Sequence, residues 1–111
     1  MGSSYLDPRR LFLSPLGDDV SDESPLYVEV VLPVACIAQN LFVSNRTGQT
    51  DLREFFVSKN GSRTALACNV GYEGSCSSMN PVQFKAGDMV SIEAAYQAGS
   101  RNRYTYSFQC K

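Results

Sequence analysis

The stretch LREFFVSKNGSRTALACNV, residues 52–70, constrains the fold more than any other part of this 111-residue chain. Its Asn60-Gly61 pair is a strong signal for a two-residue type I′ turn, because both central residues of that turn need a positive φ angle. Apolar and polar residues alternate on both sides of the pair, as they do in strands that bury one face. The stretch is therefore predicted to be an antiparallel hairpin.

A turn centred on Asn60-Gly61 also predicts the register of this hairpin. The expected cross-strand pairs are Val57 with Thr64, Phe55 with Leu66, and Arg53 with Cys68. One face then carries the residues expected to lie in the core, which are Phe55, Val57, Leu66 and Cys68.

The rest of the chain after residue 25 consists of further short apolar runs separated by turn residues, without a helical period. The predicted strands lie in LYVEVVL, ACIAQNLFVS, VQF, MVSIEAAYQ and RYTYSFQC. A bulge near Gln39-Asn40 resolves the inconsistent parity of the second run. The residues then expected on the core side are Cys36, Ala38, Leu41, Val43, Val90, Ile92, Ala94, Tyr96, Tyr104, Tyr106, Phe108 and Cys110. The prediction is an all-β, jelly-roll-like antiparallel β-sandwich of seven to eight strands.

Residues 1–25 have a different composition, and we predict that they form an extended N-terminal arm before a β-sandwich domain of residues 26–111. The segment SPLGDDVSDESP is rich in Pro, Gly, Ser and acidic residues and has no period, as is typical of linkers. Large apolar side chains precede it, namely Leu11, Phe12, Leu13 and Leu16. They predict either a segment packed on its own domain or an arm that docks on a neighbouring subunit.

The four cysteines allow three disulfide pairings. Early and late strands of a jelly roll lie side by side and antiparallel, which pairs Cys36 with Cys110. The glycines of NVGYEGS let the chain reverse, which pairs Cys68 with Cys76. Four reduced thiols and a zinc site are the alternatives, although the spacing lacks the C-x-x-C of structural zinc sites. Disulfides imply an oxidising location, so we expect an extracellular protein or one on a virion surface.

The composition excludes several classes of function. The absence of histidine excludes Ser-His-Asp and Cys-His catalysis and histidine-containing metal sites. A net charge of −1 argues against nucleic-acid binding, and no apolar run approaches the roughly 20 residues that span a membrane. The carboxylates match neither a calcium loop nor a glycosidase pair; they are Asp18, Asp19, Asp22 and Glu23, and the outward-facing Glu29, Glu54 and Glu93. We expect no enzyme activity, no metal and no cofactor.

Aromatic residues on the outer faces of a sandwich need a partner. The candidates for such a partner surface are Tyr27, Phe42, Phe56 and Tyr72, with Arg101 and Arg103 as a polar rim. The partner is the arm, a carbohydrate or another subunit, and the apolar content of the arm favours another subunit. The predicted function is a structural assembly protein, either a virion decoration or fibre component or a subunit of an extracellular filament. A carbohydrate-binding, lectin-like module is the alternative.

The segments SKNGSRTALACNV and FKAGDMVSIEA, with the earlier NLFV, also carry a family resemblance. The stretch from Cys36 to Cys110 resembles a small β-sandwich module of bacterial secreted proteins and phage structural proteins, similar to the tumour-necrosis-factor jelly roll in miniature. The resemblance implies a non-enzymatic module that assembles, often as a trimer or a fibre, and displays loops. It implies no particular functional residue.

Overall fold

The computed structural model describes residues 2–6, 11–13, 21–22, 30–45, 52–71, 74–95 and 102–111. Side chains are described in residues 30–45, 52–71, 74–95 and 104–111. These ranges contain eleven strands and no helix. The strands are β1 (Gly2–Leu6), β2 (Leu11–Leu13), β3 (Ser21–Asp22), β4 (Val30–Val31), β5 (Cys36–Asn45), β6 (Arg53–Lys59), β7 (Ser62–Val70), β8 (Ser75–Ser78), β9 (Val82–Phe84), β10 (Met89–Ala94) and β11 (Asn102–Cys110).

The strands form two antiparallel sheets that pack on each other, as in a β-sandwich. Sheet A has the order β1-β11-β5-β8, and β9 pairs with the first part of β5. Sheet B has the order β3-β2-β10-β6-β7, and β4 pairs with the start of β10. The prediction of an all-β fold with antiparallel sheets is confirmed.

The strand pairing is nested along the chain. β1 pairs with β11, β2 with β10, β5 with β8, and β6 with β7, so outer pairs enclose inner ones. The three strands before residue 26 were not predicted. β1 and β2 are short and pair with strands far along the chain, so local periodicity cannot reveal them. Residues 11–13, assigned above to an arm, form β2 and pair with β10 of the same chain, whereas Leu16 lies outside the described residues.

The core lies between the sheets and confirms most of the predicted inward positions. Its buried apolar residues are Cys36, Ala38, Leu41, Val43, Phe55, Val57, Leu66, Val70, Phe84, Val90, Ile92, Ala94, Tyr104 and Tyr106. The bulge predicted in β5 is present, because Asn40 has a φ of 57° and the β5–β11 register shifts between Ser107 and Gln109. A left-handed residue at a bulge restores the inward parity of the strand. Tyr96 lies outside the described residues.

The hairpin has the predicted turn but a different register away from it. Asn60 and Gly61 both have positive φ, and Ser58 pairs with Arg63 as expected. Beyond a bulge the prediction is wrong: Phe55 pairs with Cys68 and Arg53 with Val70. The hydroxyl of Thr64 donates to the carbonyl of Val57 and accepts from the N–H of Leu66, so a side chain replaces part of the backbone ladder there. The slip is two residues, so the buried face is unchanged.

Both predicted disulfides are present. Cys36–Cys110 links neighbouring strands β5 and β11 within sheet A, with Cα atoms 5.4 Å apart. Cys68–Cys76 links β7, at the edge of sheet B, to β8, at the edge of sheet A, with Cα atoms 5.8 Å apart. The first therefore strengthens one sheet, and the second holds the two sheets together along one side.

Candidate interaction surface

The outer side of sheet A presents hydroxyl, amide and apolar groups in place of charges. We call this surface the sheet A face; it is formed by Ile37, Gln39, Phe42, Ser44, Ser75, Ser77, Gln83, Thr105, Ser107 and Gln109. Arg103 is the one charged residue in the strands of sheet A, and its backbone pairs with Tyr5 of β1. The described side chains of the sheet A face therefore carry no charge.

Phe42 is the largest exposed side chain of the sheet A face. It lies on the central strand β5, directly opposite Ser107 of β11 on one side and Ser77 of β8 on the other. Both cross-strand neighbours are short, and 47% of Phe42 is exposed. Ile37, near the start of the same strand, is 40% exposed. Phe42 and Ile37 are thus the exposed apolar side chains of an otherwise polar face, and both are available to a partner.

The amides of this face are held by hydrogen bonds. The side-chain amide of Asn40 donates to Oε1 of Gln109 over 2.6 Å, across the bulge between β5 and β11. The amide of Gln83 donates to the carbonyl of Phe84 over 3.1 Å. Polar groups fixed in this way lose little conformational entropy when a partner binds.

The outer side of sheet B is built differently around its aromatic residue, Phe56. The guanidinium of Arg63 lies over the ring of Phe56, 4.3 Å from its centroid. Nε of Arg63 donates to Oε2 of Glu93 over 2.7 Å, and Nη2 lies 2.6 Å from the same oxygen. The cation–π contact and the ion pair give Phe56 and Glu93 partners within the chain.

Several polar side chains of sheet B are buried although they point outward. Glu93, predicted to be an outward residue, is fully buried. Its outward direction agrees with the prediction, and it is nevertheless buried, since strand parity fixes direction but not what lies above the sheet. Ser58 and Ser91 face each other across β6 and β10, are fully buried, and have hydroxyls without a hydrogen-bond partner in the described part of the chain. The outer side of sheet B is thus covered at these positions.

One end of the sandwich is closed by polar contacts between the hairpin tip and the turn before β10. The side-chain amide of Asn60 donates to Oδ1 of Asp88 over 3.1 Å, and its Oδ1 accepts from the N–H of Met89. Oδ2 of Asp88 accepts from the N–H of Lys85 over 2.7 Å. This backbone bond and the Asn60 amide, with smaller effects of the charges of Lys59 and Lys85, hold the pKa of Asp88 below its usual value, against an opposing effect of burial.

The structure separates the residues predicted to form a partner surface. Phe42 lies on the outer side of sheet A and Phe56 on the outer side of sheet B. Arg103 lies in β11, whereas Tyr27, Tyr72 and Arg101 lie outside the described residues. Sequence reasoning did not identify Ile37 or the serines beside Phe42; the lack of charges in ACIAQNLFVS, SCSS and RYTYSFQC, apart from Arg103, is the signal that could have found them.

Among the described residues, no three or more His, Cys, Asp or Glu side chains come together as metal ligands would. Asp18, Asp19 and Glu23 of the acidic segment lie outside them, and Asp22 is in β3. The described part of the chain also has no helix long and apolar enough to cross a membrane. No family model, no curated protein and no solved structure was found to match the chain.

Proposed function

We propose that the protein is a non-enzymatic structural assembly module whose copies associate through the sheet A face. The observation that carries this proposal is the exposure of Phe42 on an uncharged surface. Burial of an exposed apolar side chain is favourable, and interface cores are depleted in charged residues. The sheet A face also needs no ion pair to be broken when two copies meet, because its described side chains carry no charge.

We further propose that the sandwich is a jelly roll. The nested pairing supports this, because a jelly roll arises when a long antiparallel ribbon of paired strands wraps into two sheets. The family resemblance noted above then implies assembly as a trimer or a fibre. In this proposal the N-terminal arm docks on a neighbouring copy through β1, the outer strand of sheet A, which pairs with β11 alone among the described strands.

The two disulfides point to an oxidising environment. A subunit of an extracellular filament, or a decoration or fibre component of a virion, is the proposed role that fits this environment and the assembly surface together.

The test is the mass of the protein in solution, measured by sedimentation over a range of concentrations. We expect the wild type to associate and Phe42→Ser, which matches the two flanking serines, to shift the equilibrium toward the monomer. Ser107→Glu, which places a charge beside Phe42, should have the same effect. The matched control is Leu52→Ser, because Leu52 is 65% exposed and precedes β6 of sheet B. A wild type that is monomeric at every concentration, or a Phe42→Ser mass equal to that of the wild type, would contradict the proposal.

Carbohydrate binding is the second candidate function, and the exposed ring of Phe42 favours it as well. A sugar ring can stack on an exposed aromatic ring while its hydroxyl groups bond to the surrounding serine and glutamine side chains. A glycan array separates the two functions: selective binding by the monomer that is lost in Phe42→Ser supports the lectin-like module, and an array without binding removes it.

A further inference from the structure

A second exposed surface lies at the end of the sandwich that holds the hairpin tip. The loop between β4 and β5 crosses from sheet B to sheet A there, and Pro33, Val34 and Ala35 are all exposed. Val34 is 66% exposed, which is more than Phe42. Next to the loop, Val31 pairs with Met89, and these side chains are 55% and 41% exposed. We call Val31, Pro33, Val34, Ala35 and Met89 the apolar tip.

Backbone hydrogen bonds hold the loop of the apolar tip in place. The N–H of Leu32 donates to the carbonyl of Asp88 over 2.9 Å, and the N–H of Gly87 donates to the carbonyl of Leu32 over 2.8 Å. Leu32 itself packs against the core. The loop that carries the exposed Val34 is thus hydrogen-bonded to the turn before β10.

All three lysines of the chain lie at this same end of the molecule. Lys85 is in the turn that bonds to the loop, and Lys111 exchanges two backbone hydrogen bonds with Ile37 at the start of β5. Lys59 reaches from sheet B to the carbonyl of Gln83 in sheet A over 2.8 Å, and its ammonium lies 3.8 Å from Asp88. Lys85 and Lys111 are exposed and form no ion pair within the described residues.

This arrangement combines exposed aliphatic side chains with lysines at the same end of the sandwich. Aliphatic side chains that project into the interface of a lipid bilayer gain free energy by leaving water, and lysines beside them are attracted to anionic headgroups. A polyanion such as a nucleic acid or an acidic glycan would make use of the lysines but not of the exposed valines. A protein partner would need a surface shaped to fit these side chains, whereas a fluid bilayer adapts to them.

We propose that the apolar tip and its lysines are a docking site for the surface of a membrane that contains anionic phospholipids. The contact is peripheral, since the tip is one loop and a strand pair. The lysines give the preference for anionic lipid, and the Val34 side chain inserts into the bilayer. The apolar tip is at one end of the sandwich, whereas the sheet A face is on the side of the sandwich. This proposal therefore does not rest on the proposed assembly function.

The test is cosedimentation of the full chain with two kinds of vesicle at low ionic strength. One kind contains phosphatidylcholine alone, and the other contains phosphatidylcholine and phosphatidylserine in equal amounts. We expect binding to the second kind and a decrease in that binding when salt is added. Val34→Asp should weaken binding by about tenfold, because it replaces an apolar side chain that inserts into the bilayer with a carboxylate that the anionic headgroups repel. Lys85→Gln should weaken it by about fivefold.

Two control variants make the same changes away from the site. Leu52→Asp adds a charge at an exposed apolar residue, at the end of β6 that is far from the apolar tip. Asn69→Asp, at an exposed residue of β7, makes the same change in net charge as Lys85→Gln. Both should bind as the wild type does. Absence of binding, or equal binding to both vesicles, overturns the proposal. If Lys85→Gln weakens binding but Val34→Asp does not, the site is purely electrostatic, as for an acidic protein, and the membrane proposal fails.

Discussion

The two sheets of this sandwich treat an outward aromatic residue in opposite ways. In sheet B, Phe56 lies beneath the Arg63 guanidinium, and the carboxylate of Glu93 completes a set of mutual contacts. In sheet A, Phe42 stands between two serines and is nearly half exposed. Both positions have the same sequence character, since each phenylalanine follows the strand alternation onto an outer face. What differs is the surrounding side chains: Arg63, which pairs with Ser58, reaches over the ring of Phe56, whereas the residues opposite Phe42 are two serines.

The difference extends to how the two sheets are stabilised. Sheet A has a disulfide between two of its own strands and an outer surface without charges among the described side chains. Sheet B has no disulfide within it among the described residues; its outer side has an ion pair to the buried carboxylate of Glu93 and two fully buried serines. A sheet strengthened covalently can leave its surface free for a partner, whereas a sheet that depends on its surface contacts cannot.

The largest expected effect on stability comes from removing the disulfides. It tests the role of covalent bonds in the comparison between the two sheets. Cys36→Ala with Cys110→Ala should lower the free energy of unfolding by about 4–5 kcal/mol, because this bridge closes a loop with a sequence separation of 74. Cys68→Ala with Cys76→Ala should cost about 2–3 kcal/mol, because the separation is 8. Urea denaturation of both double variants measures the two losses. Equal losses, or a larger loss for the second pair, would show that loop length does not govern these bridges.

The next effect tests the non-covalent half of the comparison. Arg63→Ala should lower the free energy of unfolding by about 1.5–3 kcal/mol, because it removes two charge-assisted contacts to a buried carboxylate. The estimate stays below that for a fully buried pair, since the Arg63 side chain is 46% exposed. Thermal and urea denaturation provide the measurement.

Two variants serve as references for Arg63→Ala. Phe42→Ser, on the sheet A face, should change the stability of the monomer by about 0.5 kcal/mol or less, as exposed surface substitutions do. Adding Glu93→Gln to Arg63→Ala should recover part of the loss, because it removes the buried charge. If Phe42→Ser destabilises the monomer as much as Arg63→Ala, the contrast between the two faces is not real.

The smallest effect concerns the end where the two sheets meet, and it depends on pH. The pKa of Asp88 is lower in the folded protein than its usual value, so ionised Asp88 stabilises the folded state. This contribution is present above about pH 4 and is lost as the pH falls through the lower folded-state pKa. Melting temperatures of the wild type and Asp88→Asn should therefore differ at neutral pH and converge in acid. A difference that is constant with pH would mean that the charge of Asp88 does not contribute.

Local signals in the sequence predicted the parts of the fold that depend on local geometry. The Asn60-Gly61 turn needs two positive φ angles, and the broken parity at Gln39-Asn40 needs a bulge; both are present. The disulfide pairs were predictable because the order of strands brings Cys36 beside the end of β11 and leaves Cys68 close to Cys76.

Other features depend on contacts between distant parts of the chain, which a single sequence does not display. The Thr64 hydroxyl takes the place of a backbone ladder group, and this shifts the hairpin register without changing any apolar pattern. Glu93 is buried because other parts of the chain cover the outer side of sheet B. The alternation of residues along a strand does not show whether its outer side is covered. The exposure of Phe42 likewise depends on Ser77 and Ser107, which are 35 and 65 positions away along the chain but directly opposite in the register.

The position of the Cys36–Cys110 bridge has a mechanical consequence. Tension applied to the chain on the two sides of this bridge passes directly through the sulfur–sulfur bond, and the 73 residues enclosed between the two cysteines bear none of the load. A molecule pulled from its two ends would therefore lose β1 to β4, which precede the bridge, and extension would then stop with β5 to β11 still enclosed by it. Under reducing conditions the same pull would also load the strands between the two cysteines.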